Sequence, residues 1–130
     1  MKDLNTRDLM IQIAQILYDK KAKDVIALNV TDMTVITDGM VIATGRSTLQ
    51  VRTLTQEVEE KLEEMGLTPI RREGFQDGLW SVLDYGTVLV HIFHEDEREF
   101  YRLEKLWESG ENRVPLPFEK DAADGSAPKN

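Results

Sequence analysis

The sequence predicts an α/β domain in which a mixed sheet of about five strands is flanked by helices. Three observations lead there. Residues 47–65 form a long amphipathic segment between groups of short apolar runs, and a helix of that length can cross over between parallel strands. Residues 25–30 and 40–44 are nearly continuous apolar runs, the pattern of strands covered on both faces. Residues 79–83 and 87–93 flank Asp84-Tyr85-Gly86, the spacing of an antiparallel hairpin. A hairpin and a crossover within one sheet make it mixed.

Each element follows in order. Residues 6–21 put Leu9, Ile13, Ile16 and Leu17 on one helical face, with Met10 beside them. Asn5 or Thr6 can cap this helix, and Asp8 suits its positive end. The strand at 25–30 comes next, then a stretch at 31–38 whose polar residues interrupt Met33, Val35 and Ile36 without a clear period. The strand at 40–44 is entered by Asp38-Gly39 and left at Gly45. In the helix at 47–65, Ser47 is the N-cap and Gly66 ends it. Val51, Leu54, Val58, Leu62 and Met65 form its buried stripe, and Glu57, Glu59, Glu60, Glu63 and Glu64 make its outer face acidic. Pro69-Ile70-Arg71-Arg72 reads as a short edge strand.

In the hairpin, Tyr85 and Gly86 as the two loop residues set Asp84 opposite Thr87, Val82 opposite Leu89 and Trp80 opposite His91. These six and Phe93 share one side of the sheet. The other side, with Leu79, Ser81, Leu83, Val88, Val90 and Ile92, is more apolar and should meet the helices. Residues 95–108 complete the order as a helix whose apolar face is Phe100, Leu103, Leu106 and Trp107. The domain is expected to span 1–108, and 109–130 to be a flexible C-terminal tail. Within it Val114-Pro115-Leu116-Pro117-Phe118 can pack locally, and 121–130 has the composition of a disordered segment.

Composition excludes several classes of function. The 130 residues hold 16 basic and 24 acidic side chains, a formal charge of -8, so clustered phosphate contacts to nucleic acid are not expected. An acidic surface instead suits a basic protein partner. The absence of cysteine rules out disulfides, a cysteine nucleophile and thiolate metal sites. No run of 18 apolar residues occurs, and the first residues lack a signal-peptide pattern, so a cytoplasmic location is the expectation.

Four groups could carry chemistry. Gly45-Arg46-Ser47 opening a helix after a strand could hold a phosphate, and a Gly-Ser turn there also suggests a nucleotidyltransferase. That chemistry needs paired carboxylates holding two metals, and no Asp-x-Asp or Glu-x-Asp follows on a strand. Ser47 is more simply a cap. His91 and His94, three apart on a strand, point to opposite faces and do not suit zinc. His91 and Asp84 lie too far apart along the hairpin for an acid–base pair. Trp80 and Phe93 are either core of the second sheet face or an exposed aromatic patch of the kind enriched at interfaces.

Longer motifs resemble a known family. Asp24-Val25, Ile36-Thr37-Asp38, Val41-Ile42-Ala43-Thr44-Gly45 and Gln50-Val51 resemble the first half of the ribosomal silencing factor (iojap) family. Gly78-x-Trp80, Asp84-Tyr85-Gly86, Val90-His91-Ile92-Phe93 and Phe100-Tyr101-x-Leu103-Glu104-x-Leu106-Trp107 resemble its second half. The chain departs from that family at Gly39-Met40, where aromatics are usual, at Arg46, where Thr is common, and at Thr87, where an acid is common. The resemblance implies a homodimeric, non-enzymatic protein with a nucleotidyltransferase-like fold, no catalytic residues and no cofactor. It implies binding to the fourteenth protein of the large ribosomal subunit, which blocks joining of the small subunit when nutrients are scarce. Trp80, Asp84, Tyr85, His91 and Phe93 are the expected partner-binding residues. The alternatives are a divergent nucleotidyltransferase-fold enzyme using Ser47 and a generic dimeric adaptor.

Overall fold

The computed structural model describes residues 5–119. In chain order the elements are α1 (Thr6–Asp19), β1 (Lys23–Asn29), β2 (Gly39–Gly45), α2 (Thr48–Glu64), β3 (Arg71–Glu73), β4 (Trp80–Asp84), β5 (Val88–His94), α3 (Glu95–Tyr101) and α4 (Leu103–Trp107). The five strands make one sheet in the order β1-β2-β5-β4-β3. Only β2 and β5 pair in parallel, and the other three pairings are antiparallel. The expected mixed α/β sheet is therefore present, with the short β3 at one edge.

The helix boundaries follow from local chemistry. The Asn5 side chain accepts the Asp8 N–H at 2.7 Å to start α1. Ser47 accepts the Gln50 N–H at 3.0 Å to start α2, and Gly66, at φ 86°, follows its end. The apolar stripes of both helices pack on one sheet face, against Val25, Ala27, Val41, Ala43, Leu83, Val88, Val90 and Ile92. Leu79, expected on that side, precedes β4 and is exposed. The second face carries Ile26, Leu28, Met40, Ile42 and Phe93, covered by Leu103 and Trp107 of α4. All seven residues of β2 are buried between the two layers.

Two elements depart from the expected arrangement. The hairpin loop is Gly86-Thr87, because the Tyr85 N–H already bonds the Val88 carbonyl at 2.9 Å. Gly86 has φ 87°, a conformation that costs glycine nothing and would strain Tyr85 in an earlier loop. Every pairing consequently moves by two: Trp80 opposes Phe93, Val82 opposes His91 and Asp84 opposes Leu89. A shift of two preserves the side on which each residue lies. The helix expected at 95–108 breaks at Arg102, whose φ and ψ are both 49°. Across the break, the Arg98 guanidinium donates to Thr44 Oγ1 at 2.7 Å and to Glu104 Oε1 at 3.0 Å, tying both short helices to β2.

Packing also continues past residue 108, the boundary expected from composition. Arg113 bridges to Leu28 at the outer edge of β1, and the Val114 N–H donates to the Ala27 carbonyl at 2.8 Å. Val114, Leu116 and Phe118 are buried in the core under α1, and the Phe118 ring stacks on Tyr18 at 4.1 Å. This strap covers an edge that would otherwise offer free backbone groups. The segment expected to be disordered, 121–130, lies outside the described residues.

Two stability outcomes follow from these contacts. Ser47→Ala should cost about 0.5–2 kcal/mol, the price of a helix cap, in urea denaturation. Leu116→Ala should cost about 2–5 kcal/mol, as a core truncation does. A cost near zero at Leu116 would show that the strap does not hold in solution.

Candidate docking surface

The second sheet face is only half covered. Alternation in β4 and β5 points Trp80, Val82, Asp84, Leu89, His91 and Phe93 to this side. Leu103 and Trp107 of α4 pack against the cluster of Ile26, Leu28, Val30, Met40, Ile42 and Phe93. Trp80, Val82 and Leu89 are left half-buried. The break at Arg102 then turns other apolar side chains outward. Phe100 is 75% exposed, Leu106 71% and Tyr101 46%, although Phe100 and Leu106 had the spacing of a core stripe.

Trp80 sits at the centre of an aromatic group. Its ring lies 4.8 Å from Phe93 and 4.9 Å from Tyr101, and Phe100 meets Tyr101 edge-on at 4.9 Å. The indole Nε1–H donates to His91 Nδ1 at 3.1 Å. His91 accepts at Nδ1 and therefore carries its ring proton on Nε2. That Nε2 is buried without a hydrogen-bond partner among the described residues. Burial pushes His91 down from the usual imidazole value to about 4, so the ring is neutral at physiological pH.

The five residues expected to bind a partner are not equivalent. Trp80, His91 and Phe93 are brought together, with Trp80 outermost. Phe93 is fully buried and His91 only 7% exposed, so both lie beneath the surface rather than on it. Asp84 is on the same side but at the turn end, where it accepts the Gly86 N–H at 2.8 Å and pairs with Arg71 at 3.0 Å. Tyr85 turns to the helix side, against the first core cluster, where burial and the nearby Glu59 push its phenol up. Tyr85, expected as a loop residue of the turn, instead pairs with Val88 ahead of the Gly86-Thr87 loop.

Sequence reasoning missed Tyr101, Phe100 and Leu106 as surface groups. No periodic signal marks the break at Arg102, so an unbroken helix buries Phe100 and Leu106 on paper, while Tyr101 falls outside its apolar face. Val82 and Leu89, which alternation already places on the side of Trp80, are half-buried on this surface.

The residues weighed for chemistry have structural roles. Ser47 caps α2. His94 accepts the Asp96 N–H at 3.2 Å and starts α3. Asp84 and His91 bind different partners at different ends of the hairpin. Among the described residues no group of three or more His, Asp or Glu is placed to hold a metal ion, and no helix is long and apolar enough to cross a membrane.

The buried imidazole gives a pH signature. The unfolded chain protonates His91 near 6.5, whereas the folded chain resists until about 4. Between those values the unfolded state binds more protons, so stability is complete above 6.5 and falls as pH drops. The slope contributed is up to about 1.4 kcal/mol per pH unit, and about 3 kcal/mol in all. Urea denaturation from pH 7 to pH 4 should show this loss, and His91→Asn should flatten it. An unchanged slope in that variant would place the proton uptake elsewhere.

Comparison with known proteins agrees with this architecture. A family model described as "Ribosomal silencing factor during starvation" matches residues 3–130. The ribosomal silencing factor RsfS of Bacillus subtilis is 36% identical over 104 residues, covering 80% of this chain and 88% of that protein. The chloroplastic Iojap protein of Arabidopsis thaliana is 28% identical over 128 residues, which cover 98% of this chain and 51% of that protein. A crystal structure from Chromobacterium violaceum superposes with a TM-score of 0.79 at 31% identity, covering 87% of this chain and 94% of that one. Another, from Bacillus halodurans, has a TM-score of 0.72 at 37% identity, covering 84% and 99%. With the family pattern running nearly the length of the chain and the same fold in its relatives, this protein belongs to the ribosomal silencing factor family.

Proposed function

We propose that this chain represses translation by docking the half-covered sheet face on the large ribosomal subunit. Its target there is the fourteenth ribosomal protein, and the bound domain occupies space the small subunit needs. The observation that carries this reading is the aromatic group of half-buried Trp80 and exposed Tyr101 and Phe100, with exposed Leu106 on the following helix. Aromatic anchors set among polar groups give up water on association and still allow a soluble free state. Family membership supplies the ribosome as the partner class.

Charge supports the same reading. The chain carries a formal charge of -8, and α3 places Asp96 and Glu97 one turn before Phe100 and Tyr101. A basic ribosomal protein would be steered to such a surface, and ribosomal RNA of the approaching small subunit would be repelled by it. The mode of action is steric, without a reaction: Ser47, His94 and Asp84 are already engaged in caps and turns. A homodimer in the cytoplasm is part of the same proposal and is read by sedimentation equilibrium of the free protein.

Cosedimentation with isolated large subunits tests the surface. Trp80→Ala should lose about 2–4 kcal/mol of binding, roughly 30- to 1,000-fold. Phe100→Ala and Leu106→Ala should also weaken binding, while their exposure keeps the change in folding stability within about 0.5 kcal/mol. Binding should weaken further as salt rises, because exposed charges are screened over about 8–10 Å near physiological ionic strength. Wild-type affinity in all three variants would place the docking surface elsewhere, and small-subunit joining unaffected by saturating protein would remove the steric mechanism.

A further inference from the structure

Trp80 is an unusual anchor because its only polar atom is already committed inside the protein. An indole has one donor, Nε1–H, and here it points down to His91 Nδ1 at 3.1 Å rather than out to solvent. The imidazole that receives it is itself fixed. His91 belongs to β5, is paired across the sheet to both Val82 and Ile42, and is only 7% exposed. Phe93 lies flat beneath the indole, with ring planes 28° apart, and Tyr101 closes one side.

The hydrogen bond demands one tautomer. A ring protonated at Nδ1 would set two donors against each other, so the proton must sit on Nε2. That atom is buried with no partner among the described residues, and an unmet buried polar group costs stability. Phenylalanine at position 91 would fill similar volume without that cost. The structure thus spends stability at one residue, and the visible return is the fixed direction of the Trp80 ring.

We propose that His91 is a positioning residue that pre-orients Trp80 for docking, so that the partner meets the indole as a rigid apolar plane with no donor to satisfy. This inference rests on the docking reading above and adds to it a group that never touches the partner. Association costs less when an interface side chain does not have to be frozen on binding. The partner surface opposite Trp80 should accordingly be an apolar cleft, free of a buried acceptor aimed at the indole nitrogen.

Two variants and one spectrum test it on the full chain. His91→Phe keeps the ring and removes the acceptor. His91→Asn can place its amide oxygen near the position of Nδ1 and restore the acceptor. In binding to isolated large subunits, His91→Phe should lose about tenfold, the worth of one such bond, and His91→Asn should recover most of it. In nitrogen-resolved NMR, the Trp80 indole N–H, assigned through Trp80→Phe, should lose its hydrogen-bonded shift and exchange protection in His91→Phe and regain them in His91→Asn. A merely structural role would move stability without this recovery. If Trp80→Ala binds poorly while His91→Phe binds like wild type, the positioning role is overturned and the docking surface stands. If Trp80→Ala binds like wild type, both are overturned. Should His91→Phe fail to fold, the wild-type imidazole spectrum decides: a proton on Nε2 is required, and one on Nδ1 overturns the inference.

Discussion

Everything in this fold depends on covering β2. The strand lies between β1 and β5, and all of its residues are buried. A strand buried on both faces needs an apolar layer on each side. α1 and α2 supply one layer in full, through stripes that run the length of both helices. The other layer is made by the short helices α3 and α4, which leave Trp80, Val82 and Leu89 half-buried. The unequal layers explain why the molecule has one sealed side and one side with aromatic rings near its surface.

The elbow at Arg102 is the device that makes this possible. A continuous helix from 95 to 107 would present a single stripe to the sheet. Splitting it lets Leu103 and Trp107 dip to the strands while Phe100 and Leu106 face out. The left-handed residue at the elbow is unfavourable for an arginine, and the Arg98 bonds to Thr44 and Glu104 hold the geometry against it. The Arg98 side chain is mostly buried, so its pairing with Glu104 is screened less than the surface pairs of β3. Packing, electrostatics and the proposed interface meet at that one corner.

The C-terminal strap solves a separate problem. β1 is an edge strand, and an exposed edge is a template for unwanted pairing. The Asn29 N–H donates to the Asn112 carbonyl and the Val114 N–H to the Ala27 carbonyl, which closes part of it, and three apolar side chains anchor the strap under α1. Pro115 and Pro117 alternate with those anchors, which limits the conformations the strap must give up on docking. Composition alone marked this stretch as tail because proline and charge dilute its apolar residues; their alternation, not their number, is what packs.

Local sequence determined most of the elements and their sides. Ser47, Gly66 and the stripe from Val51 to Leu62 define α2 by capping and period, signals that need no tertiary partner. The apolar runs of β1 and β2, and the alternation that puts Trp80, His91 and Phe93 on one side, are equally local. The hairpin register is local as well: it follows from where a positive φ is tolerated, at Gly86 rather than Tyr85. Tertiary structure decided two things. The break at Arg102 came from contacts between Arg98, Thr44 and Glu104, which are distant or irregular in sequence. Which aromatics lie on the surface and which beneath it came from the size of the covering layer: period assigns a side chain to a face, but only the packed assembly determines how much of that face is covered.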